Sequence, residues 1–292
     1  MENKTPHYYI PHQSAWPIIG ALALLILALG SLNLSEKWGF SALVIGFGGL
    51  LFMIGGWLWS VIKESNAGLY NQQMDKTFRW GMFWFLIAEL FLFGLLLGSI
   101  FHVRFSITPW LAGQSGDASV LTHYLLWPDF YKHWPLVTPP GNSPPPLTSP
   151  SHNYLISMRG IPFINSILLV ISSLLSILSL YFLKKTKHQK SFITLNAAIL
   201  LGILFLTLQT FYFLYLAKAD IIIKTGVYGS FLIAFIGLHL INVIAALLFF
   251  IIISVRMYDQ KVSAKNTFSL DAGIWWWCFL AGIWLLGFLL IF

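Results

Sequence analysis

Seven long apolar blocks run through this sequence, and they limit its possible folds more than any motif does. A hydrocarbon core about 30 Å thick is crossed by a helix of about 20 apolar residues. In lipid, every backbone polar group must be satisfied inside the segment, which leaves the helix as the fitting element. The spacing predicts spans over Trp16–Leu34, Phe40–Ile62, Phe78–Phe105, Phe163–Leu183, Phe192–Leu216, Gly226–Arg256 and Asp271–Phe292. Each is apolar on all sides. Charged residues are 9% of the chain, against roughly 25% in soluble domains, too few to cover a water-facing surface. The expected fold class is an all-α integral membrane protein of seven transmembrane helices.

The charges that are present sit between the blocks, where they orient a membrane chain. With the N-terminus inside, 11 of the 17 Lys and Arg residues fall on the inner side and 6 on the outer side. This predicts an inner (matrix or cytoplasmic) N-terminus and an outer C-terminus. The net charge of +7 does not indicate nucleic acid, because no basic stripe interleaves with aromatics. One cysteine, Cys278, allows neither a disulfide framework nor a Cys-based metal cluster. The polar segment Met1–Trp16 reads as neither a signal peptide nor a good transit peptide.

The connection from Ser106 to Ile161 is the one long outer loop expected. Its Pro139-Pro140-Gly141 and Pro144-Pro145-Pro146 suit neither helix nor inner strand. Trp127, Tyr131 and Trp134 suggest that part of it lies on the membrane surface or against a partner. No internal repeat is visible, which weakens a transporter built from duplicated halves.

Among residues that could carry chemistry, Glu89 stands out. It lies about 16 Å into the third span at 1.5 Å per residue, near mid-membrane, beside Phe85, Leu86, Leu92 and Phe93. A carboxylate there is costly, so a neutral acid is expected, either proton-linked or hydrogen-bonded within the bundle. His102 and His239 stand at different depths, unsuited to hold a haem between them, and read as helix-interface residues. No Asp/Glu/His cluster suggests a metal site. Lys63, Glu64 and Arg79, with Trp57 and Trp59, lie at inner span ends, where they serve as interfacial anchors or hold lipid phosphates. Trp275-Trp276-Trp277 opens the last span as an aromatic belt would. The residues show no catalytic machinery.

Several motifs, in order along the chain, resemble subunit III of haem-copper cytochrome c oxidase. Ser14-Ala15-Trp16-Pro17 with Gly20-Ala21 resembles the family's S-P-W-P…G-A, and Ser60-Val61-Ile62-Lys63-Glu64-Ser65 its D-V-x-R-E-S. Arg79-x-Gly81 with Glu89, Phe91 and Phe93 is similar to R-x-G…S-E-x-F-F-F, and His102 and Pro109 keep an H-x6-P spacing. Pro162 to Ser166, Leu208-Gln209, Tyr228-Gly229-Ser230 with His239, Arg256 before Asp271, and Trp275-x-Trp277 with Trp284 continue the likeness. The departures mark a divergent member. The fourth helix lacks the family's tryptophan and paired histidines. Tyr212 replaces a Glu, Ile236 a His, and Cys278 and Ala281 a His and an Asp.

The resemblance implies a two-helix bundle (1–62), an inner linker (63–77) and a five-helix bundle (78–292, with outer loop 106–161), the bundles separated by a lipid-filled cleft. It implies a non-catalytic subunit that stabilises the catalytic one, supports proton uptake and holds structural phospholipids of phosphatidylglycerol, phosphatidylethanolamine or cardiolipin type. Glu89 would be the family's carbodiimide-reactive carboxyl, and Lys63, Glu64, Arg79, Arg256, Trp57 and Trp59 would be headgroup contacts. His102, His239, Trp275 and Trp277 would be helix-interface residues. This chain would bind no haem, copper or other metal; those would sit in partners, the catalytic haem-copper subunit I and copper-binding subunit II. The expected location is the mitochondrial inner membrane, with a bacterial plasma membrane as the alternative. Subunit III of a quinol oxidase fits the same residues, and a seven-helix transporter or receptor using Glu89 is a reading from another class.

Overall fold

Helix follows helix along the chain in the computed structural model, which describes residues 13–132, 134–136, 160–218, 226–264 and 266–291. The helices are α1 (Trp16–Leu32), α2 (Lys37–Asn66), α3 (Gln72–His102), α4 (Thr108–Leu111), α5 (Asp117–Leu126), α6 (Ile161–Lys184), α7 (His188–Lys218), α8 (Val227–Tyr258) and α9 (Phe268–Ile291). Six segments are long and apolar enough to cross a membrane: α2, the rod Gln72–Leu111, α6, α7, α8 and α9. The shorter apolar α1 makes the seventh expected span. The chain is a multi-pass membrane protein.

Most helix ends lie beyond the expected span ends, although α1 stops at Leu32, short of Leu34, and α8 starts at Val227, one residue after Gly226. The segment 63–77, expected to link two bundles, is largely helical, since α2 runs to Asn66 and α3 opens at Gln72. Hydropathy marks where the hydrocarbon ends, whereas a helix continues until its backbone finds other partners. Here Asn71 Oδ1 accepts the Met74 N–H at 3.0 Å and starts α3.

The expected loop onset at Ser106 is likewise overturned. After α3 the chain makes a π-helical turn, Val103–Ile107, and then α4. Pro109 brings no N–H and its ring crowds the preceding turn. The wider π-turn accommodates it, and Thr108 Oγ1 donates to the Val103 carbonyl at 2.8 Å. A further helix, α5, follows within the expected loop. The proline run 139–146 lies outside the described residues.

The chain divides into two compact units, Met1–Trp80 and Gly81–Phe292. In the first, α1 and α2 pack antiparallel through small residues. Gly20, Ala23 and Gly30 are the buried positions of α1, and Gly39 and Gly46 those of α2. A Cβ on Gly46 would stand 2.7 Å from the Leu27 backbone nitrogen, and one on Gly56 would run into the Trp16 ring. Without a hydrophobic drive between helices in lipid, such close backbone approach is what associates them.

In the second unit α6, α7, α8 and α9 form a closed ring of neighbours, α6 against α7, α7 against α8, α8 against α9, and α9 against α6. The face of α3 carrying Phe85 and Phe93 packs on α8 and α9, through Phe85–Trp276, Phe93–Phe235 and Phe93–Phe279 ring contacts. Trp277, Trp284, Phe93, Phe205, Phe235 and Phe250 are the largest enclosed side chains. The aromatic-belt reading of Trp275-Trp276-Trp277 is therefore corrected at Trp277, which is 0% exposed. Its indole N–H donates to Ser172 Oγ at 2.9 Å, because helix rotation aims only one residue of a consecutive run at the bundle axis.

Serines line the buried face of α6. Ser166 accepts the Trp284 indole N–H at 3.0 Å, Ser172 donates to the Ala198 carbonyl at 2.8 Å, and Ser179 and Ser191 bond reciprocally. Asn165 and Gln209 pair at 2.7 Å, and Ser254 donates to Asn196 Oδ1 at 3.0 Å.

Candidate functional site

Glu89 sits on the α3 face that meets α8. Phe85 and Phe93, one turn to either side, pack into the second unit, so the carboxyl between them is carried toward the bundle rather than away from it. It is half-buried, and Asn242 of α8 is its polar neighbour. Its Oε2 atom is enclosed without a partner among the described residues. Asn242 also donates to the Leu238 carbonyl at 3.2 Å, which holds the amide in place. An amide can accept from a neutral acid or donate to a carboxylate, so Asn242 suits Glu89 as a neighbour in either form. Asn242 escapes a search for titratable residues. Its position three residues after His239, on the same helix face, was the available signal.

His239, one turn from Asn242, is fully buried. Its Nε2–H donates to the Leu280 carbonyl at 3.0 Å, since a carbonyl only accepts. The rings of Phe93, Phe205, Phe235 and Trp284 surround it at centroid distances of 5.3–6.3 Å. It and Trp277 lie at helix interfaces. His102, at the end of α3, and Trp275, 38% exposed, face outward from this unit. Among the described residues no three His, Cys, Asp or Glu side chains gather as a metal would need.

A second polar cluster gathers where α3 and α9 end and α8 begins, unanticipated in the sequence. Arg104 Nη1 donates to the Leu289 and Leu290 carbonyls at 3.1 and 2.8 Å. The Trp134 indole and the Tyr228 hydroxyl both donate to the Ile291 carbonyl, at 3.1 and 3.3 Å. The guanidinium also lies 5.2 Å from the Trp134 ring centroid. The last carbonyls of a helix have no intrahelical donors, and a cation there also meets the negative end of the helix dipole. Trp134, expected on the membrane surface or against a partner, instead packs into the core beside Tyr228. Arg104→Met should speed amide exchange in the last turn of α9 by about 10-fold, since bonds to charged groups contribute about 1.5–3 kcal/mol; unchanged exchange there would remove the capping role.

The charged set expected to meet lipid divides between the units. Lys63, Glu64, Arg79, Trp57 and Trp59 belong to the first, and half-buried Arg256 to the second. In the first unit a groove of about 690 Å³ is lined by Trp16, Met53, Trp57, Ser60, Glu64, Tyr70 and Phe78, among others. The Tyr70 hydroxyl donates to Glu64 Oε2 at 2.8 Å, and the Trp16 indole N–H to Ser60 Oγ at 3.2 Å. Lys63 is exposed, with Nζ 5.8 Å from the Trp59 ring centroid. Arg79 Nε pairs with Asp75 at 2.9 Å. The groove is mostly apolar, with a tyrosine-held carboxyl among its lining groups.

Comparison with known proteins agrees with this architecture. A model of the family "Cytochrome c oxidase subunit III" matches residues 6–120 and 141–292. Proteins named "Cytochrome c oxidase subunit 3" from Osphranter robustus and Ornithorhynchus anatinus are each 25% identical to this chain, over 286 and 288 residues. One from Latimeria chalumnae is 26% identical over 290 residues. Each alignment covers 98% of this chain and 96% of the relative. Identity near one quarter along nearly the full length fits a divergent member. Family match, seven apolar helices and motif order converge on one conclusion: this chain belongs to the cytochrome c oxidase subunit III family.

Proposed function

We propose that the chain is a non-catalytic core subunit of a respiratory haem-copper cytochrome c oxidase in the mitochondrial inner membrane, with its N-terminus on the matrix side. In this role it braces the catalytic haem-copper subunit I, supports proton uptake and retains structural phospholipids, while haem and copper belong to subunit I and the copper-binding subunit II. The observation that carries the reading is the family match over residues 6–120 and 141–292. The interior of the second unit supports it, since buried Ser166, Ser172, Trp277, Trp284 and His239 bond to one another or to backbone. That is the chemistry of a bundle built to be rigid.

The first-unit groove is the proposed phospholipid contact in this chain. Glu64, held by Tyr70, offers a carboxylate to a headgroup ammonium, and Lys63 and Arg79 offer cations to phosphate. Arg256 is the corresponding cation of the second unit.

Purification from native membranes tests the whole reading. The chain should emerge with a haem-copper subunit, and its removal should shorten the oxidase's active lifetime during turnover more than it lowers the initial rate. Undiminished durability without the chain would count against a bracing role. A partner set lacking a copper-binding second subunit would favour a quinol oxidase.

Glu89 has its own test. Glu89→Gln keeps the shape and removes the carboxyl, so assembly should persist while carbodiimide labelling of this chain falls to background. Labelling that survives the substitution would place the reactive carboxyl elsewhere.

A further inference from the structure

The short helix α5 has its polarity reversed. Ser119 is fully enclosed, and Thr122 and His123 are half-buried. Val120, Leu121, Tyr124 and Leu125 point outward, at 53%, 61%, 74% and 65% exposure. Positions i, i+1, i+4 and i+5 share one helix face, so these four side chains form a continuous apolar stripe.

Both ends of this segment are tied down. At one end His123 Nδ1 bonds to the Leu111 carbonyl at 2.9 Å, at the tip of the rod that continues α3. At the other, Phe130, Trp134 and Leu136 return to the core of the second unit, and Trp134 reaches the carbonyl of Ile291 beside Arg104. The ends of α3 and α9 and the start of α8 meet at that cluster, which sets the level at which these spanning helices end. Leu111 is seven residues beyond Arg104, about 10 Å along a helix and less when tilted. α5 is thus held between helix-end level and a point about 10 Å above it, the zone in which interfacial helices lie.

We propose that α5 is an in-plane membrane anchor, its Val120, Leu121, Tyr124 and Leu125 stripe seated in the bilayer interface on the side where α3 ends. The occupant is lipid because the stripe follows exposed apolar residues on the membrane-spanning rod itself, Phe101, Phe105, Ile107 and Trp110. Exposed Tyr131 and Lys132 follow it, an aromatic and a cation of the kind that settle at headgroup level. Asp117 and Asp129 flank the helix, so apolar insertion rather than attraction to anionic lipid supplies the binding. The anchor would hold the connection between α4 and α6 against the membrane. It depends on no part of the oxidase reading.

Depth-resolved quenching tests it in the assembled protein. In a Cys278→Ser background, Leu121→Cys, Leu125→Cys and, as an exposed polar control, Gln114→Cys would each carry a bimane label. The protein would sit in phosphatidylcholine nanodiscs containing lipid with a nitroxide near the headgroup. Labels at 121 and 125 should be quenched at least twofold more by the lipid nitroxide than the label at 114, and at least twofold less by aqueous iodide. Iodide quenching equal to that at 114 would show a solvent-facing helix and overturn the proposal. Protection from both quenchers would overturn it too, by showing a protein partner on the stripe.

Discussion

Trp284→Ala should destabilise the second unit by about 3 kcal/mol, read as a shift in detergent or thermal unfolding of the purified protein. Trp284 is fully enclosed, with the rings of Phe205, His239 and Phe235 at 5.3, 5.3 and 6.3 Å. Truncating a buried aromatic costs about 3–5 kcal/mol in soluble cores, through lost transfer energy and the cavity left behind. In lipid the transfer part shrinks while lost dispersion contacts and the cavity persist, which places the expectation at the lower end. Trp284→Phe separates packing from hydrogen bonding. It keeps one aromatic ring and removes the donor to Ser166 with the smaller half of the indole; the hydrogen bond itself is worth about 0.6 kcal/mol by membrane double-mutant measurements, so a loss well below that of Trp284→Ala is expected. Equal losses in the two variants would mean that the indole bond, not the packing, holds this site.

Gly46→Leu should separate α1 from α2. A Cβ at this position would meet the Leu27 backbone nitrogen at 2.7 Å, the Leu27 Cγ at 2.8 Å and the Ala23 carbonyl oxygen at 3.0 Å. Backbone atoms cannot rotate aside as a flexible side chain can, so the helices must move apart. Overpacking costs about 1–3 kcal/mol in soluble cores, and here it also removes the close approach that associates the pair. Distances between spin labels on α1 and α2 should lengthen and broaden. Gly48→Leu is the matched control, because a Cβ at Gly48 meets nothing within 4 Å. If both variants leave the distances unchanged, small-residue packing is not what holds the first unit.

The crossings were legible because lipid sets a simple requirement. A segment without charges that is long enough to span hydrocarbon must be helical, so composition alone located seven helices to within a few residues. Motif order then led to the family, and Glu89 could be singled out because one acid among Phe85, Leu86, Leu92 and Phe93 has no ordinary explanation. Helix ends were less legible. The start of α3 ahead of Phe78 and the continuation past Phe105 lie where side chains such as Asn71 and Thr108 satisfy the backbone, and hydropathy does not register that.

What stayed hidden was direction. A water-soluble helix reveals its buried face by polarity, but a helix apolar all round gives no such sign. Trp275 and Trp277 are alike in composition, yet one is 38% exposed and the other enclosed. Asn242 becomes the partner of Glu89, and Arg104 the cap of α9, only once α3, α8 and α9 are packed together. Local chemistry in lipid decides that a segment is a helix; which of its sides meets a neighbour depends on steric fit and on a few polar pairs between residues distant in the chain, and those come into being with the tertiary structure.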